Sequence, residues 1–440
     1  MLSPREARIE AERCLQCFDA PCVAACPTRI PVPTFIAMIR SGNPIGAAEQ
    51  VKAANPLANI CGAVCPQEVF CQSVCTRAKQ DGPVRIRELH AHATAAEAAR
   101  GFSRPAIANG GARVAIVGGG PAGLACGFEL ARLGHEPHVY EREAIGGVPR
   151  ASIPGFRLPE RALRDDLSFL AAFVQVHHED VTAERLLALR RGHPAVFLAC
   201  GLGRDRRLGV SGEELPGVLP VLAFLEQARR DPGALAIGER VVVIGGGNVS
   251  LDAAATARRL GAREVTLVYR RSEREMRVWR GELEEARAQG VQVRYLASPA
   301  EITGEGRVRS VRCVVMELGP ERDASGRAVP IEVAGAEFDL PADTVIVAIG
   351  QRIGAGLPDA IARTGAGYVK VDADYRTTLD GVFAGGDAIA GEGTIVQSVA
   401  QGQAAAAAIH RFLSTRGAVG EPVSGPEPGA TPGATTGGAS

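Results

Sequence analysis

The stretch CLQCFDAPCVAACP places four cysteines between residues 14 and 27, spaced Cys14-x2-Cys17-x4-Cys22-x3-Cys26 and closed by Pro27. A second run follows, Cys61-x3-Cys65-Pro66-x4-Cys71-x3-Cys75. Eight of the eleven cysteines thus precede residue 76, while Cys126, Cys200 and Cys313 stand singly. Thiols at this density form disulfides, hold zinc, or hold iron–sulfur clusters. Disulfides belong to oxidising compartments. The opening MLSPREARIEAERC is charged and helix-like, without the apolar core or small-residue cleavage site of a secretion signal. The chain therefore reads as cytoplasmic, with reduced thiols that serve a metal or catalysis. Two groups of four cysteines suffice for two four-thiolate sites.

Further along, RVAIVGGGPAGLACGFELARLGHEPHVYERE runs from a buried strand through a glycine turn into a helix and a second strand. Gly118, Gly120 and Gly123 fit G-x-G-x-x-G, followed by Pro121 and Ala122 inside the helix start and by Glu141 about twenty residues on. The first glycine permits the tight turn, the second lets backbone approach a pyrophosphate, and the third allows close helix–strand packing. The helix N-terminus supplies N–H donors, and an acid at Glu141 suits a ribose hydroxyl. The syntax recurs in ERVVVIGGGNVSLDAAATARRLGAREVTLVYRRSERE, with Gly245, Gly247 and a helix from Asn248. Here Arg270 and Arg271 replace the acid at the end of the second strand. Arginine at that place accommodates a 2′-phosphate, which favours NADP(H) over NAD.

Two dinucleotide units imply two dinucleotides, and a flavin is the natural redox partner of a nicotinamide. Ahead of them, residues 1–100 read as helices around cysteine loops: EARIEAERC, PTFIAMIRSG, GAAEQVKAANPL and ELHAHATAAEAARG, the last stopping at a glycine. The expected fold is α/β, with two Rossmann-like dinucleotide-binding domains behind an all-α cluster domain. The expected divisions are 1–100 for the clusters, 110–235 and 339–413 for the flavin, and 236–338 for the nicotinamide. The tail over 416–440 is Gly/Pro/Ala/Thr/Ser-rich with little to bury and reads as disordered. Basic and acidic residues number 49 each, so no basic face is offered to nucleic acid or anionic lipid. No stretch reaches the roughly 18 apolar residues of a membrane span.

The first cysteine run resembles the bacterial ferredoxin run, whose Pro-flanked fourth cysteine ligates the other cluster. The segment GVFAGGDAIAGEGTIVQSVAQGQ resembles the flavoprotein reductases with two dinucleotide domains. That resemblance implies Gly386 and Asp387 at the flavin ribityl chain, and Thr394 where the following helix faces the isoalloxazine. Thioredoxin-reductase-like enzymes carry a redox C-x-x-C in the nicotinamide domain. Residues 240–338 hold only Cys313, so the opening cysteines become the electron exit. Together RCLQCFDAPCVAACPT, NPLANICGAVCP, FCQSVCTRA, PVRIRELHAHAT, GGGPAG, IPGFRLP, GGGNVSLD and FAGGD resemble the iron–sulfur flavoproteins of the glutamate synthase small-subunit type. Among these the flavoprotein subunit and N-terminal half of dihydropyrimidine dehydrogenases are the nearest in motif.

The resemblance implies one 4Fe–4S cluster on Cys14, Cys17, Cys22 and Cys75 and a second on Cys26, Cys65, Cys71 and a non-cysteine ligand, which falls on His90. Spacing alone offers Cys61 as the competitor. The implied activity is hydride transfer from NADPH to FAD, then single electrons through the clusters to a partner subunit that holds the final substrate site, with no acid–base dyad of the chain's own. YRRSEREM points instead toward NADPH-dependent glutamate synthase small subunits. A non-enzymatic alternative is a zinc-stapled docking module.

Overall fold

A computed structural model describes residues 2–101, 110–323, 325–354, 356–391 and 393–416. The tail expected to be disordered lies, except for Arg416, outside the described residues. The chain begins with helices α1 (Pro4–Glu12), α2 (Pro21–Ala25), α3 (Val32–Arg40), α4 (Pro44–Ala54), α5 (Ala58–Val64) and α6 (Ile86–Arg100). Ser3 and Glu6 form a capping box on α1, and Gly101, at φ +97, ends α6. Val32, Phe35, Ile36 and Ile39 form the buried stripe of α3, facing Val51 of α4 and Leu89 and Ala93 of α6. Short α2 and α5 escape helix-period reading because each offers barely one or two turns.

Next come β1 (Arg113–Val117), α7 (Pro121–Arg132), β2 (Glu136–Glu141), α8 (Val148–Ala151), α9 (Glu160–Leu170), β3 (Gln175–His178), α10 (Ala183–Gly192) and β4 (Ala195–Leu198). After β5 (Arg204–Asp205) the chain builds β6 (Val218–Pro220), α11 (Val221–Arg230), β7 (Arg240–Gly245), α12 (Asn248–Arg259), β8 (Glu264–Tyr269), α13 (Arg280–Ala288) and β9 (Val291–Tyr295). An antiparallel sheet of β10 (Ala297–Thr303), β11 (Ser310–Arg322) and β12 (Ala328–Pro341) follows. Then come β13 (Thr344–Ala348), β14 (Gln351–Arg352), β15 (Val382–Ala384), α14 (Asp387–Ala390) and α15 (Ile395–Thr415).

Two parallel sheets result, ordered β15-β4-β1-β2-β3 and β6-β13-β7-β8-β9. Both switch direction beside the strand that precedes a glycine turn, where α/β sheets open a crevice for ligands. The second sheet reaches from Val218 to Ala348, so the expected bounds of 236 and 338 are corrected outward. Strands β6 and β13 complete it, and β13 pairs with β7 from Thr344↔Val241 to Ala348↔Gly245. The second unit is therefore an insertion, entered and left through the antiparallel pair β5–β14.

Nor do the cysteine helices form a separate body. Leu57, which caps α5, and Ile60 and Val64 on it share one buried core with Leu124, Ala125 and Phe128 of α7 and with Val399 of α15. Helices α7 and α15 themselves touch through glycine: a Cβ on Gly402 would stand 2.2 Å from the Ala122 carbonyl oxygen. Helix propensity alone favours alanine there by about 1 kcal/mol. The backbone clash opposes it and cannot be relieved by a rotamer change. Gly402→Ala is therefore expected to destabilise the protein by about 1–3 kcal/mol, read as a lowered urea midpoint; a raised midpoint would show the helices free to separate.

Candidate functional site

The first glycine turn sits at the C-terminal end of β1, between β2 and β4. Gly118 has φ +106, and a Cβ on it would lie 2.4 Å from the Ala199 carbonyl oxygen. A Cβ on Gly123 would lie 2.0 Å from the Gly118 oxygen. At Gly120 the nearest atom to such a Cβ is the Gly147 Cα at 3.9 Å, so space is left beside the second glycine. Pro121 opens α7, where a missing N–H costs nothing, and Ala122 is buried behind it. Glu141 ends β2, its Oε2 accepting from the Gly119 N–H at 2.7 Å and its Oε1 from the Glu143 N–H at 3.0 Å. The turn thus combines a close-packed floor, an open wall, and the unpaired N–H groups of a helix start, which suits a pyrophosphate.

The end of β15 reaches the same crevice. Gly386, at φ +69, donates its N–H to Gln401 Oε1 at 2.8 Å, and Asp387 begins α14. Thr394 caps α15: its Oγ1 accepts from the Gln397 N–H at 3.3 Å and donates to Gln397 Oε1 at 2.8 Å. Its hydroxyl is thus used on its own helix.

In the inserted unit a Cβ on Gly245 would lie 2.2 Å from the Ala348 oxygen, and one on Gly246 equally close to the Tyr269 ring. Gly247 caps α12, and Asn248 Oδ1 accepts from the Trp279 N–H at 3.1 Å, tying the segment after β8 over the turn. Arg270 is exposed at the end of β8. Partial burial and the nearby Arg271 and Arg327 guanidiniums pull its pKa below the usual arginine range. Arg271 is a correction. It is 3% exposed, donating from Nε to the Ala328 carbonyl at 2.8 Å and from a terminal nitrogen to Asp323 at 2.7 Å. Its guanidinium is spent on the β11–β12 hairpin, whereas Arg270 stays exposed.

The cysteines gather as two neighbouring sets. Cys14, Cys17, Cys22 and Cys75 line one cavity, with Leu15 and Ile36 among its walls. Gln16, at φ +51, turns its N–H toward the Cys14 sulfur, while burial and the Cys17 and Cys75 thiols raise the Cys14 pKa. Burial, with Cys14 and Cys75 beside it, pushes Cys22 up to about 11. In the second set burial raises Cys65, with Cys61 and Cys26 adding to it. Burial likewise raises Cys71, which lies within reach of Cys65, Cys26 and also Cys22. Cys61 is buried on α5 and pushed up to about 12. Thiols that crowd and bury one another in this way become thiolates only when a cation compensates them. Among the described residues no three His, Cys, Asp or Glu side chains close tightly enough around one point to hold a single ion.

His90 of α6 is 6% exposed, edge-on to Phe35, and held near pKa 4 by burial. The ring lies beside the Ala58 carbonyl, and its Nε2 is buried without a hydrogen-bond partner among the described residues. An orphaned neutral imidazole nitrogen fits a metal-ligand role.

Two groups that pattern reading did not find hold these sites in place. Arg157, in IPGFRLP, bonds both Asp252 oxygens of α12 at 2.7 Å and also Glu282 of α13. Asp166 of α9 bonds the start of α5. No periodicity signals either, because each partner lies about 95 residues away or more.

Residues 112–407 match the family described as pyridine nucleotide-disulphide oxidoreductase, and residues 1–102 match the 4Fe–4S domain described as dihydropyrimidine dehydrogenase domain II. The NADP(+)-dependent formate dehydrogenase subunit beta of Moorella thermoacetica is 35% identical over 429 residues, covering 90% of this chain and 60% of that protein. The putative oxidoreductase AegA of Escherichia coli (strain K12) is 34% identical, with 93% of this chain spanning 66% of that protein. The glutamate synthase [NADPH] small chain of the same strain is 33% identical over 445 residues, 93% of this chain and 92% of that one. In fold, Mycobacterium tuberculosis FprA in complex with NADPH gives a TM-score of 0.60 at 20% identity over 70% of this chain and 86% of that one. The chain belongs to the pyridine nucleotide-disulphide oxidoreductase family. Within it, this is an iron–sulfur flavoprotein of the glutamate synthase small-subunit type, an oxidoreductase with FAD, NADP and 4Fe–4S cofactors, and it spans about 60% of the length of the first of these relatives.

The two arginines separate by experiment. Arg270→Ala is expected to raise KM for NADPH about tenfold or more with KM for NADH little changed, the loss of a charge-assisted contact of about 1.5–3 kcal/mol. Arg271→Ala is expected instead to lower the denaturation midpoint by a similar free energy while leaving the NADPH/NADH ratio intact.

Proposed function

We propose that this chain is the electron-input subunit of a larger redox enzyme, drawing hydride from NADPH and delivering single electrons through two 4Fe–4S clusters to a partner subunit. The observation that carries the reading is continuity. The two cysteine sets adjoin through Cys71, and the helix bearing Cys61 shares a core with α7, which starts at the first glycine turn. Bound there, FAD takes electrons in pairs and can give them up singly, which matches a nicotinamide on one side to iron–sulfur clusters on the other.

The chain's own residues bind and orient. Gly118, Gly120 and Gly123 seat one dinucleotide on the start of α7, with Glu141 at its ribose and Gly386, Asp387 and the Thr394-capped α15 along its flavin end. Gly245, Gly247 and Asn248 seat the other, with Arg270 for the 2′-phosphate. Cys14, Cys17, Cys22 and Cys75 hold one cluster; Cys26, Cys65, Cys71 and His90 hold the second. No side chain need move a proton for the electron route itself.

The partner we name is the catalytic subunit of a dihydropyrimidine dehydrogenase, on the strength of the cysteine motifs and of PVRIRELH. A glutamate synthase large subunit is the second reading, favoured by small chains that this sequence matches over 90–92% of their length. Mass spectrometry of the chain that co-purifies separates them. A cytoplasmic site is consistent with the free cysteines, and none of the described helices is long and apolar enough to cross a membrane.

The cluster assignment is tested by iron content and low-temperature electron paramagnetic resonance of His90→Ala and Cys61→Ala proteins. We expect His90→Ala to lose or alter one signal and Cys61→Ala to keep both. The reverse result assigns the ligand to Cys61. A colourless, iron-free wild type would leave only the zinc-stapled module.

A further inference from the structure

Helix α5 begins without a cap of its own. Its N-cap residue, Leu57, has no side chain able to accept a hydrogen bond, so the first N–H groups need partners from elsewhere. They find one in another unit. Asp166 of α9, 0% exposed, accepts the Asn59 side-chain amide at 2.7 Å and the Asn59 N–H at 3.2 Å through Oδ1, and the Ile60 N–H at 2.8 Å through Oδ2. The buried Lys52 ammonium, paired with Glu97 at 2.7 Å and 4.8 Å from the Phe169 ring centroid, adds positive charge toward the carboxylate.

The rest of this contact is apolar. Leu57, Ile60 and Val64 lie against Leu124, Phe128, Leu163 and Phe169. Apolar burial is non-directional and tolerates a slide or rotation of one helix over the other. Three donors converging on two oxygens do not, because hydrogen bonds lose strength steeply with angle. Position along α5 matters for chemistry, since the helix carries Cys61 and delivers Cys65, whose N–H it receives at the Cys61 carbonyl at 3.0 Å.

We propose that Asp166 is a positioning residue for electron transfer: by fixing α5 on the flavin-binding unit it sets the distance between the flavin and the second cysteine set. Its hydrogen bonds go to Asn59 and Ile60 rather than to a cysteine or a glycine of the turn, and the one cysteine its charge reaches, Cys61, lies on the same helix, so it acts through α5. The proposal rests on the electron-input reading above. Tunnelling decays exponentially with distance, so a small slide of α5 slows the flavin-to-cluster step and spares the hydride step, whose groups lie on other elements.

The test compares wild type with Asp166→Asn, which keeps the volume but turns an amide donor toward an N–H. Both proteins are assayed for bound FAD and iron, mixed anaerobically with NADPH in a stopped-flow spectrometer, and followed by amide hydrogen exchange. The expected result is unchanged FAD and iron, a flavin-reduction phase within about twofold of wild type, a cluster-reduction phase slowed about tenfold or more, and faster exchange at Asn59 and Ile60. Asn59→Ala removes only the 2.7 Å side-chain donor and should slow the same phase by less. An unchanged cluster phase in Asp166→Asn, with exchange accelerated, overturns the proposal and leaves Asp166 a cap and nothing more. Should Asp166→Asn fail to fold, Asn59→Ala decides: an unchanged cluster phase overturns the proposal. Wild type without iron, or without a cluster phase, brings down the electron-input reading and the proposal with it, and the wild-type arm tells that failure from the other.

Discussion

The burial of α5 in the flavin-binding unit is the constraint from which the other placements follow. A short helix with cysteines at and just beyond it cannot bury its apolar side alone. It lends that side to α7 and α15, while the cysteines around it pack on the N-terminal core, so α5 joins that core to the two helices that frame the flavin crevice. The N-terminal helices also close a core of their own around Phe35, Ile36 and Leu89, and without the α5 contact that core would be tied to the flavin-binding unit far more loosely. Sharing one core fixes α5 against α7 and α15.

Where the units meet, polar groups add direction to that burial. Arg157 reaches from the flavin-binding unit to two carboxylates on α12 and α13. Burial raises the Asp252 carboxyl, and the Arg157 charge pulls it back. Buried pairs of this kind contribute little net stability, because desolvation consumes most of the attraction. Breaking one is costly, and that asymmetry makes them selective for a single arrangement of the units.

Sequence pattern made the glycine turns plain because each of their residues answers a local steric demand. Gly118, Gly123 and Gly245 all sit where a Cβ would strike a carbonyl oxygen nearby. Helices with whole apolar stripes, such as α3, were legible for the same reason. What stayed hidden depends on residues distant in the chain. Arg271 reads as a phosphate ligand beside Arg270 until Asp323, 52 residues on, folds back against it. Strands β6 and β13 look like flavin-unit strands because short apolar runs carry no label of the sheet they will join. The antiparallel β10–β12 sheet gave no alternation clean enough to foresee, since its outer stretches are exposed on both faces.

The inserted unit leaves the flavin fold almost where it entered. The Arg206 N–H donates to the Gly350 carbonyl at 3.0 Å, beside the short ladder of Arg204–Asp205 on Gln351–Arg352. Its two ends are thus already stitched together, as the ends of a cassette would be. The insertion therefore adds its sheet without lengthening the host, while Arg157 ties it to the host through Asp252 and Glu282. The second glycine turn thus hangs on a closed stitch in the chain, whereas the cysteine helices are joined to the first through a shared buried core.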